Sequence, residues 1–180
     1  MIGILLGDGH VSHFQTVVTL ESKELSYVQY VACLMEDLFG SRASICRRKN
    51  GYRDVYLGSV QLTKWLRSQG LVSNKVANQV NVSVWIHGRS GWMRRCVRGF
   101  FDTDGSIYRL RYGRQIALTN YSLPLLRSLR IMLIALQYTP SKVSGSRVYI
   151  TRSVDIDRFF ADIRPANTKH LRRFEFISKT

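Results

Sequence analysis

Two stretches of the sequence share one pattern, and this internal repeat limits the folds that the chain can adopt. Residues 3–9 read Gly-Ile-Leu-Leu-Gly-Asp-Gly, and residues 99–105 read Gly-Phe-Phe-Asp-Thr-Asp-Gly. Each stretch begins with glycine, has a small residue one helical turn later, and ends in Asp-Gly. The two terminal aspartates, Asp8 and Asp104, lie 96 positions apart. The chain is therefore a candidate for two copies of one structural unit.

A second pair of similar stretches repeats at nearly the same distance. Residues 59–66 read Ser-Val-Gln-Leu-Thr-Lys-Trp-Leu, and residues 153–160, 94 positions later, read Ser-Val-Asp-Ile-Asp-Arg-Phe-Phe. Because two independent stretches repeat at similar distances, we interpret the chain as a tandem duplication. We predict a first half over residues 1–72, a connector over 73–91 that is ordered against the surface, and a second half over 92–180.

Each predicted half has the same order of elements. A short helix ends at Asp-Gly, alternating residues then predict a strand pair, and a helical run follows Ser22 or Ser122 as candidate N-caps. The dipeptides Asn50-Gly51 and Ser144-Gly145 predict the turns of further hairpins, and a helix closes each half. We therefore predict an α+β fold with the order α-β-β-α-β-β-α in each half.

The small residues of the repeated motif predict how its two helices pack. Gly3 and Gly7 lie one turn apart, as do Gly99 and Thr103, and small side chains at this spacing let helix backbones approach closely. We expect the helices to cross on a pseudo-twofold axis, with the motif aspartates side by side at their C-terminal ends. Asp102, whose counterpart is an apolar leucine, is expected to be structural.

Two carboxylates at neighbouring helix ends need a cation. The negative ends of the helix dipoles and the mutual repulsion of the carboxylates both disfavour ionisation. Hard divalent ions such as Mg²⁺ suit carboxylate, carbonyl, water and phosphate oxygens. Carboxylates shared between metal ions and a scissile phosphate are what metal-assisted phosphodiester hydrolysis requires. The paired motif therefore predicts a divalent metal site that acts on nucleic acid.

The charge of the chain indicates a polyanionic partner. Lysine and arginine number 27 against 12 aspartate and glutamate residues, which gives a net charge of +15. Nucleic acid is the leading candidate, an anionic membrane surface is the weaker one, and a ribosomal or merely basic protein is the third alternative. The three cysteines are widely spaced without a CxxC pair, so neither a zinc site nor a disulfide framework is predicted.

We expect an intracellular location for the chain. No apolar run approaches the roughly 20 residues that span a membrane, and the first residues lack the basic leader of a signal peptide. The expected compartment is the cytoplasm or nucleoid of a prokaryote, or an organelle, without a membrane partner.

The repeated motifs resemble the two LAGLIDADG motifs of homing endonucleases. Residues 1–9 and 97–105 occupy the nine motif positions, and the sequence at 99–106 is the closer match. The order of elements resembles the family over nearly the whole chain, and the size resembles its compact single-chain, intron-encoded members. The resemblance implies a monomeric saddle in which two four-stranded antiparallel sheets cradle double-stranded DNA above the crossed helices.

The resemblance also implies an activity and a metal site. The activity is a site-specific double-strand break across the minor groove of a long recognition site, leaving short 3′ overhangs. The implied ligands are the carboxylates of Asp8 and Asp104 and the carbonyls of Gly7 and Thr103. The implied cofactor is Mg²⁺, with Mn²⁺ substituting and Ca²⁺ binding without supporting cleavage.

The chain departs from the family pattern beside the metals. The usual Gln and Lys near the end of the second strand are replaced by Leu20-Glu21 in one half and by Asn120-Tyr121 in the other. We therefore assign the basic catalytic role to Arg152, with Lys142 and Lys49 as alternatives. The missing pair leaves a second interpretation open, in which the chain is a weak or inactive binder such as an RNA maturase or a transcription factor.

Basic and aromatic residues on the predicted strands are candidates for DNA contacts. Arg and Gln can pair with guanine and adenine edges in the major groove, whereas other basic side chains position the protein on phosphates. The candidate DNA-binding residues are Arg47, Arg48, Lys49, Tyr52, Arg53, Tyr108, Arg109, Arg111, Arg114, Gln115, Lys142, Arg147 and Tyr149. The basic segment 169–180 is predicted to form a final helix or arm beside the DNA backbone.

Overall fold

A computed structural model describes residues 1–179. The helices are α1 (Ile2–Gly7), α2 (Leu25–Phe39), α3 (Val60–Ser68), α4 (Ser90–Asp104), α5 (Leu123–Ala135), α6 (Ser153–Asp162) and α7 (Thr168–Ser178), with a 3-10 turn at Val84–Gly88. The strands are β1 (Gly9–Val11), β2 (Gln15–Glu21), β3 (Ser44–Arg47), β4 (Tyr52–Gly58), β5 (Gly105–Leu110), β6 (Gly113–Thr119) and β7 (Arg147–Ile150). The predicted α+β fold with two antiparallel sheets is confirmed.

The first sheet has the predicted four strands, in the order β1-β2-β4-β3. The turn between β3 and β4 falls at Asn50-Gly51 as predicted, and Gly51 adopts the left-handed region at φ 82°. Ser59 caps α3 through a hydrogen bond that its side chain accepts from the Leu62 amide at 3.2 Å. Ser22 is not the cap of α2, because that helix begins at Leu25 with Glu24 at the N-cap position.

The second sheet has three strands among the described residues, in the order β5-β6-β7, so the predicted fourth strand is wrong. Residues 141–144 do run beside β7, and Ser144 forms an isolated bridge with Arg147. The Ser141 side chain, however, accepts the Tyr149 amide hydrogen at 3.0 Å, which removes a main-chain bond from the ladder. Pro140 precedes the segment and has no amide hydrogen to donate. The segment therefore follows the sheet edge without becoming a strand.

The apolar faces of both sheets pack with the helices in one continuous core. Val18 and Val55 of the first sheet and Ile107 and Ile116 of the second are fully buried. The motif helices α1 and α4 lie between these two layers, and Phe100 of α4 is also fully buried. The motif helices are therefore part of the core that joins the two sheets.

Within residues 1–179, no helix combines the length and apolarity needed to cross a membrane.

The C-terminal segment forms α7, as the sequence predicts, although Thr180 lies outside the described residues. Buried Asp102 fixes the start of this helix, because its carboxylate accepts the amide hydrogens of Ala166 and Asn167 at 2.9 and 3.0 Å. The predicted structural role of Asp102 is thus confirmed. The half boundaries at residues 72 and 91 stay a prediction, and α4 begins at Ser90, inside the predicted connector.

Candidate metal and DNA-binding site

The two motif helices touch through their small residues. A methyl group added at Gly99 would lie 2.8 Å from the Ile4 amide nitrogen, and one at Gly3 would lie 2.9 Å from the Cys96 carbonyl carbon. Both distances are shorter than side-chain carbon atoms normally make. The backbones of α1 and α4 therefore meet without side chains between them, as the motif predicts.

This crossing brings the aspartates of both motifs together. A methyl group at Gly7 would lie 3.4 Å from the carboxyl carbon of Asp104, so the end of α1 borders directly on that carboxylate. Burial, together with the negative charge of Asp8, raises the pKa of Asp104 to about 6. The Asn120 side-chain amide donates to the Asp104 carboxylate at 3.1 Å and acts in the opposite direction. The structure thus gives one site with an acid from each repeat.

Asp8 stays accessible at the end of α1, yet its surroundings disfavour its charge. Loss of hydration raises the pKa of Asp8, and the positive charges of Lys75 and Lys169 oppose this effect. The charge of Glu21, at the end of β2, raises the pKa of Asp8 as well. The acid pair therefore needs positive charge nearby, and two lysines supply it.

Lys75 approaches the acid pair from the connector. Its ammonium group donates to the Gly7 carbonyl oxygen and, at 3.2 Å, to the Leu5 carbonyl oxygen. Burial lowers the pKa of Lys75, whereas the charges of Asp104 and Asp8 raise it. Lys169 lies near the start of α7, the end that Asp102 anchors. Both lysines therefore reach the site from segments outside the repeated motif.

The donor atoms at the site fit a hard divalent cation. The carboxylates of Asp8 and Asp104 and the carbonyl of Gly7 are oxygen donors of the kind that Mg²⁺ and Mn²⁺ prefer, and an ammonium cation already contacts this carbonyl. The Thr103 hydroxyl donates to the carbonyl oxygens of Gly99 and Phe100 within its own helix. The predicted metal ligand of Thr103 is its carbonyl oxygen. Among residues 1–179, no cluster of three or more His, Cys, Asp or Glu residues forms a further candidate.

Arg152, the residue predicted to complete the site, lies elsewhere. Strand β7 runs antiparallel to β6, with Arg147 opposite Thr119, close to Asn120 and hence to the acid pair. Arg152 follows the other end of β7, and its guanidinium donates to the Thr139 hydroxyl at 3.0 Å. Arg152 therefore lies at the end of β7 that is away from the acids. The basic residues whose charges act on Asp8 and Asp104 are Lys75 and Lys169.

In the first sheet, the strand register divides the predicted DNA-binding residues between two faces. Paired residues share a face, so Tyr52 and Asp54 of β4 lie opposite Glu21 and Thr19 on the face away from the core. Arg53 pairs with buried Leu20 and with Arg47, so both arginines lie on the face that carries the core. A DNA contact by either arginine stays a prediction.

Arg48 forms an ion pair with Asp54 in the first hairpin. Its Nε donates to the Asp54 carboxylate at 2.6 Å, and the Thr19 hydroxyl donates to the other oxygen of Asp54 at 2.7 Å. Lys49 is exposed at the hairpin tip. Arg48 is therefore paired with Asp54 on the open face of the sheet.

In the second sheet, Tyr108, Gln115, Tyr149 and Arg147 lie on the open face, which is the side predicted to meet DNA. Arg114 lies on the opposite face, with its guanidinium 2.9 Å from the Asp157 carboxylate and 5.6 Å from the centre of the Phe174 ring. Predicted as a DNA contact, Arg114 instead joins β6 to α6 and α7.

The remaining candidates lie at the edges of the second sheet. Arg109 pairs with Arg114 across the hairpin and shares its face. Arg111 stacks on Tyr112 at 5.1 Å in the turn of that hairpin. Lys142 is exposed in the segment beside β7. Their roles in binding stay predictions.

Sequence reasoning missed three residues of the site, namely Lys75, Lys169 and Asn120. Asn120 stands at the strand end where the family carries a polar residue, so its position did hold a signal. Lys75 and Lys169 lie outside every repeated stretch, and no periodicity in their neighbourhoods points towards the acids.

Comparison with known proteins agrees with this fold. Residues 91–164 match the family described as LAGLIDADG-like domain. The matched segment runs from α4 to the end of α6. The LAGLIDADG fold extends over both halves, because the chain superposes on the homing endonuclease I-DmoI with a TM-score of 0.64, at 16% identity, covering 90% of this chain and 91% of the other.

Two further solved structures share this LAGLIDADG fold. The meganuclease I-SmaMI bound to uncleavable DNA matches with a TM-score of 0.60 and 14% identity over 98% of this chain and 88% of the other. The N-terminal LAGLIDADG domain of DUF199/WhiA matches with a TM-score of 0.60 and 16% identity over 90% and 78%. Other matching structures are of I-DmoI in complex with DNA and Mn, and with DNA and Ca.

One curated relative matches in sequence. The chain is 27% identical over 179 residues to the replication factor C small subunit of Thermococcus kodakarensis, and this alignment covers 96% of the chain. The chain spans only a fifth of the length of that relative. The likeness therefore concerns one segment of a much longer protein.

Proposed function

We propose that the chain is a site-specific DNA endonuclease of the homing type. In this proposal a monomer makes a metal-dependent double-strand break, with short 3′ overhangs, at a long recognition site. The observation that carries the proposal is the meeting of Asp8 and Asp104 at the ends of two crossed helices. The fold shared with I-DmoI and I-SmaMI supports the same activity.

The residues of the site have separate tasks in this proposal. Asp8 and Asp104 hold the metal together with the Gly7 carbonyl, and Asn120 orients the Asp104 carboxylate through its hydrogen bond. Lys169 adds positive charge beside the acids and so favours the approach of a phosphate. When bound, the divalent ion supplies Lewis acidity and lowers the pKa of a coordinated water. The proposed ion is Mg²⁺, with Mn²⁺ as a substitute.

Two sheets flank this site and supply the surface for DNA. Aromatic and polar side chains occupy the open face of the second sheet, and Arg48 occupies that of the first. The net charge of +15 favours a polyanion over any neutral partner. Because both acids belong to one chain, the proposal requires no second copy.

Substitution of either acid tests the proposal. Wild type, Asp8→Asn, Asp104→Asn and the control Asp37→Asn, an exposed acid on α2, would be incubated with Mg²⁺ and a library of randomised double-stranded DNA. We expect wild type and the control to cut the same subset of sequences. Each site variant should cut at least about a hundredfold more slowly, since each removes a charge that acts in the transition state. Equal cutting by all four proteins would refute the proposal.

A second candidate is a DNA or RNA binder without cleavage. Two observations favour it. Leu20-Glu21 in one half and Asn120-Tyr121 in the other stand where the family carries its usual Gln-Lys pair, and the N-terminal LAGLIDADG domain of DUF199/WhiA shares the fold. Metal-dependent nicking separates the two candidates. A binder retards the selected DNA in a gel but leaves every strand intact in Mg²⁺ and in Mn²⁺.

A further inference from the structure

The connector does not take the short path between the two halves. Trp65 of α3 and Trp85 of the 3-10 turn line one apolar cavity together with Met1, at the N-terminal end of α1, and Cys96 of α4. Lys75, between these tryptophans in sequence, contacts the C-terminal end of α1 instead. The chain therefore travels along the helix pair to the acid site and then returns.

Hydrogen bonds to both halves hold this excursion, residues 73–80, which we call the connector loop. The Ser73 hydroxyl donates to the Val11 carbonyl at 2.8 Å, and the Val80 carbonyl accepts from the Ser122 hydroxyl at 2.6 Å. Asn74 and Gln79 adopt positive φ angles of 52° and 44°, which L-residues rarely adopt. The loop is thus fixed in one conformation that presents Lys75 to the acids.

We propose that Lys75 is an internal counter-ion, which occupies the cation position of the acid pair in the free protein and leaves when a divalent metal binds. This inference rests on the proposed metal site. The Gly7 carbonyl, a proposed metal ligand, accepts the Lys75 ammonium group. An ammonium group and a divalent ion that both contacted the Gly7 carbonyl oxygen would repel each other strongly in this partly buried site.

The proposal gives the connector loop a part in metal binding. Without metal, Lys75 neutralises the acids and stabilises the crossing of α1 and α4. Metal binding supplies this charge instead, which releases Lys75 and the hydrogen bonds of the loop that depend on its position. The Val80 amide is one reporter, since it donates to the Lys75 carbonyl at 3.1 Å.

Metal titration of the DNA-free protein tests the proposal. Free Mn²⁺ would be followed by electron paramagnetic resonance in wild type, Lys75→Met, Lys75→Arg and the control Lys64→Met, an exposed lysine on α3. We expect Lys75→Met to bind Mn²⁺ about tenfold more tightly than wild type. The control and the charge-conserving arginine variant should bind as wild type does. Hydrogen exchange on wild type should show faster exchange over residues 73–80 when Mn²⁺ is added.

The outcomes separate this inference from the metal site itself. If Lys75→Met and wild type bind equally, and Asp104→Asn weakens both, the metal site stands and the counter-ion proposal is wrong. If Asp104→Asn changes Mn²⁺ binding in neither background, the acid pair is not a metal site and both proposals are wrong. Should Lys75→Met fail to fold, unchanged exchange over residues 73–80 of wild type in Mn²⁺ would overturn the proposal.

Discussion

At the scale of single residues, the contacts of a charged side chain explain its place on the surface better than its exposure does. Asp54 is an acid on a surface that is proposed to meet DNA, where it would repel phosphates. Its contacts explain its presence, because it binds Arg48 through one oxygen and accepts from the Thr19 hydroxyl through the other. An arginine whose Nε is held can direct its terminal nitrogens at one base edge.

Arg48 is therefore expected to recognise a base. Loss of its support in Asp54→Asn should relax the preference at one base pair of the target by roughly fivefold or more, the lower end for a bidentate contact. The measurement is sequencing of a randomised DNA library after selection for binding. Lys49→Ala is the matched control, for which lower affinity with unchanged base preferences is expected. An unchanged preference profile for Asp54→Asn would contradict this role.

His170 gives the fold a predictable response to acid. Burial lowers its pKa to about 4 from the ordinary 6.5, so the unfolded chain binds the proton more readily and stability is lost as the pH falls below about 6.5. Between pH 7 and pH 5 this loss is ~2 kcal/mol, from the two pKa values. Urea unfolding of wild type and His170→Gln at both pH values checks it. An equal loss in both proteins would contradict the assignment.

At the scale of elements, glycine decides whether the two motif helices can meet. Gly91 and Gly99 belong to the same helix, α4, but a methyl group at Gly91 would enter open space, whereas one at Gly99 would press on the Ile4 backbone. The pair therefore separates the effect of crowding from that of helix propensity.

Alanine at these two positions should have different effects on stability. Gly99→Ala is expected to lower the free energy of unfolding by about 1–3 kcal/mol through overpacking. Gly91→Ala is expected to be neutral or slightly stabilising, because alanine favours helix over glycine. Urea unfolding measures both changes. Equal effects would show that α1 and α4 do not touch at Gly99.

Elements governed by local chemistry were predictable from the sequence, and contacts made by single side chains were not. The Asn50-Gly51 turn and the Asp-Gly helix ends depend on a few adjacent residues, so their sequence signals hold. The strand expected at 141–144 was lost to one serine side chain. Strand alternation places Arg114 on the same face as buried Ile116, but its partner Asp157 comes from a distant helix that no local pattern identifies. Lys75 reaches the acids through tertiary folding, which no local pattern records.

At the scale of the whole molecule, the excess of positive charge should control affinity for DNA. If the saddle neutralises roughly six to ten phosphates, affinity should fall by about 10³–10⁵ between 50 and 200 mM salt, as counterion release requires. Fluorescence anisotropy with a selected duplex at several salt concentrations measures the slope. A flat profile would contradict binding along both sheets, although cleavage chemistry at the acid pair would be untouched.

The position of a bound metal is the most direct test of the whole account. Crystals of the protein with a selected DNA duplex and Mn²⁺ would be examined for anomalous scattering at the manganese edge. We expect a peak within coordination distance of the carboxylates of both Asp8 and Asp104, next to DNA phosphate oxygens, with the Lys75 ammonium group withdrawn from the Gly7 carbonyl. Manganese bound away from both carboxylates, or none in the complex, would contradict the central claim that one acid from each repeat holds the catalytic metal.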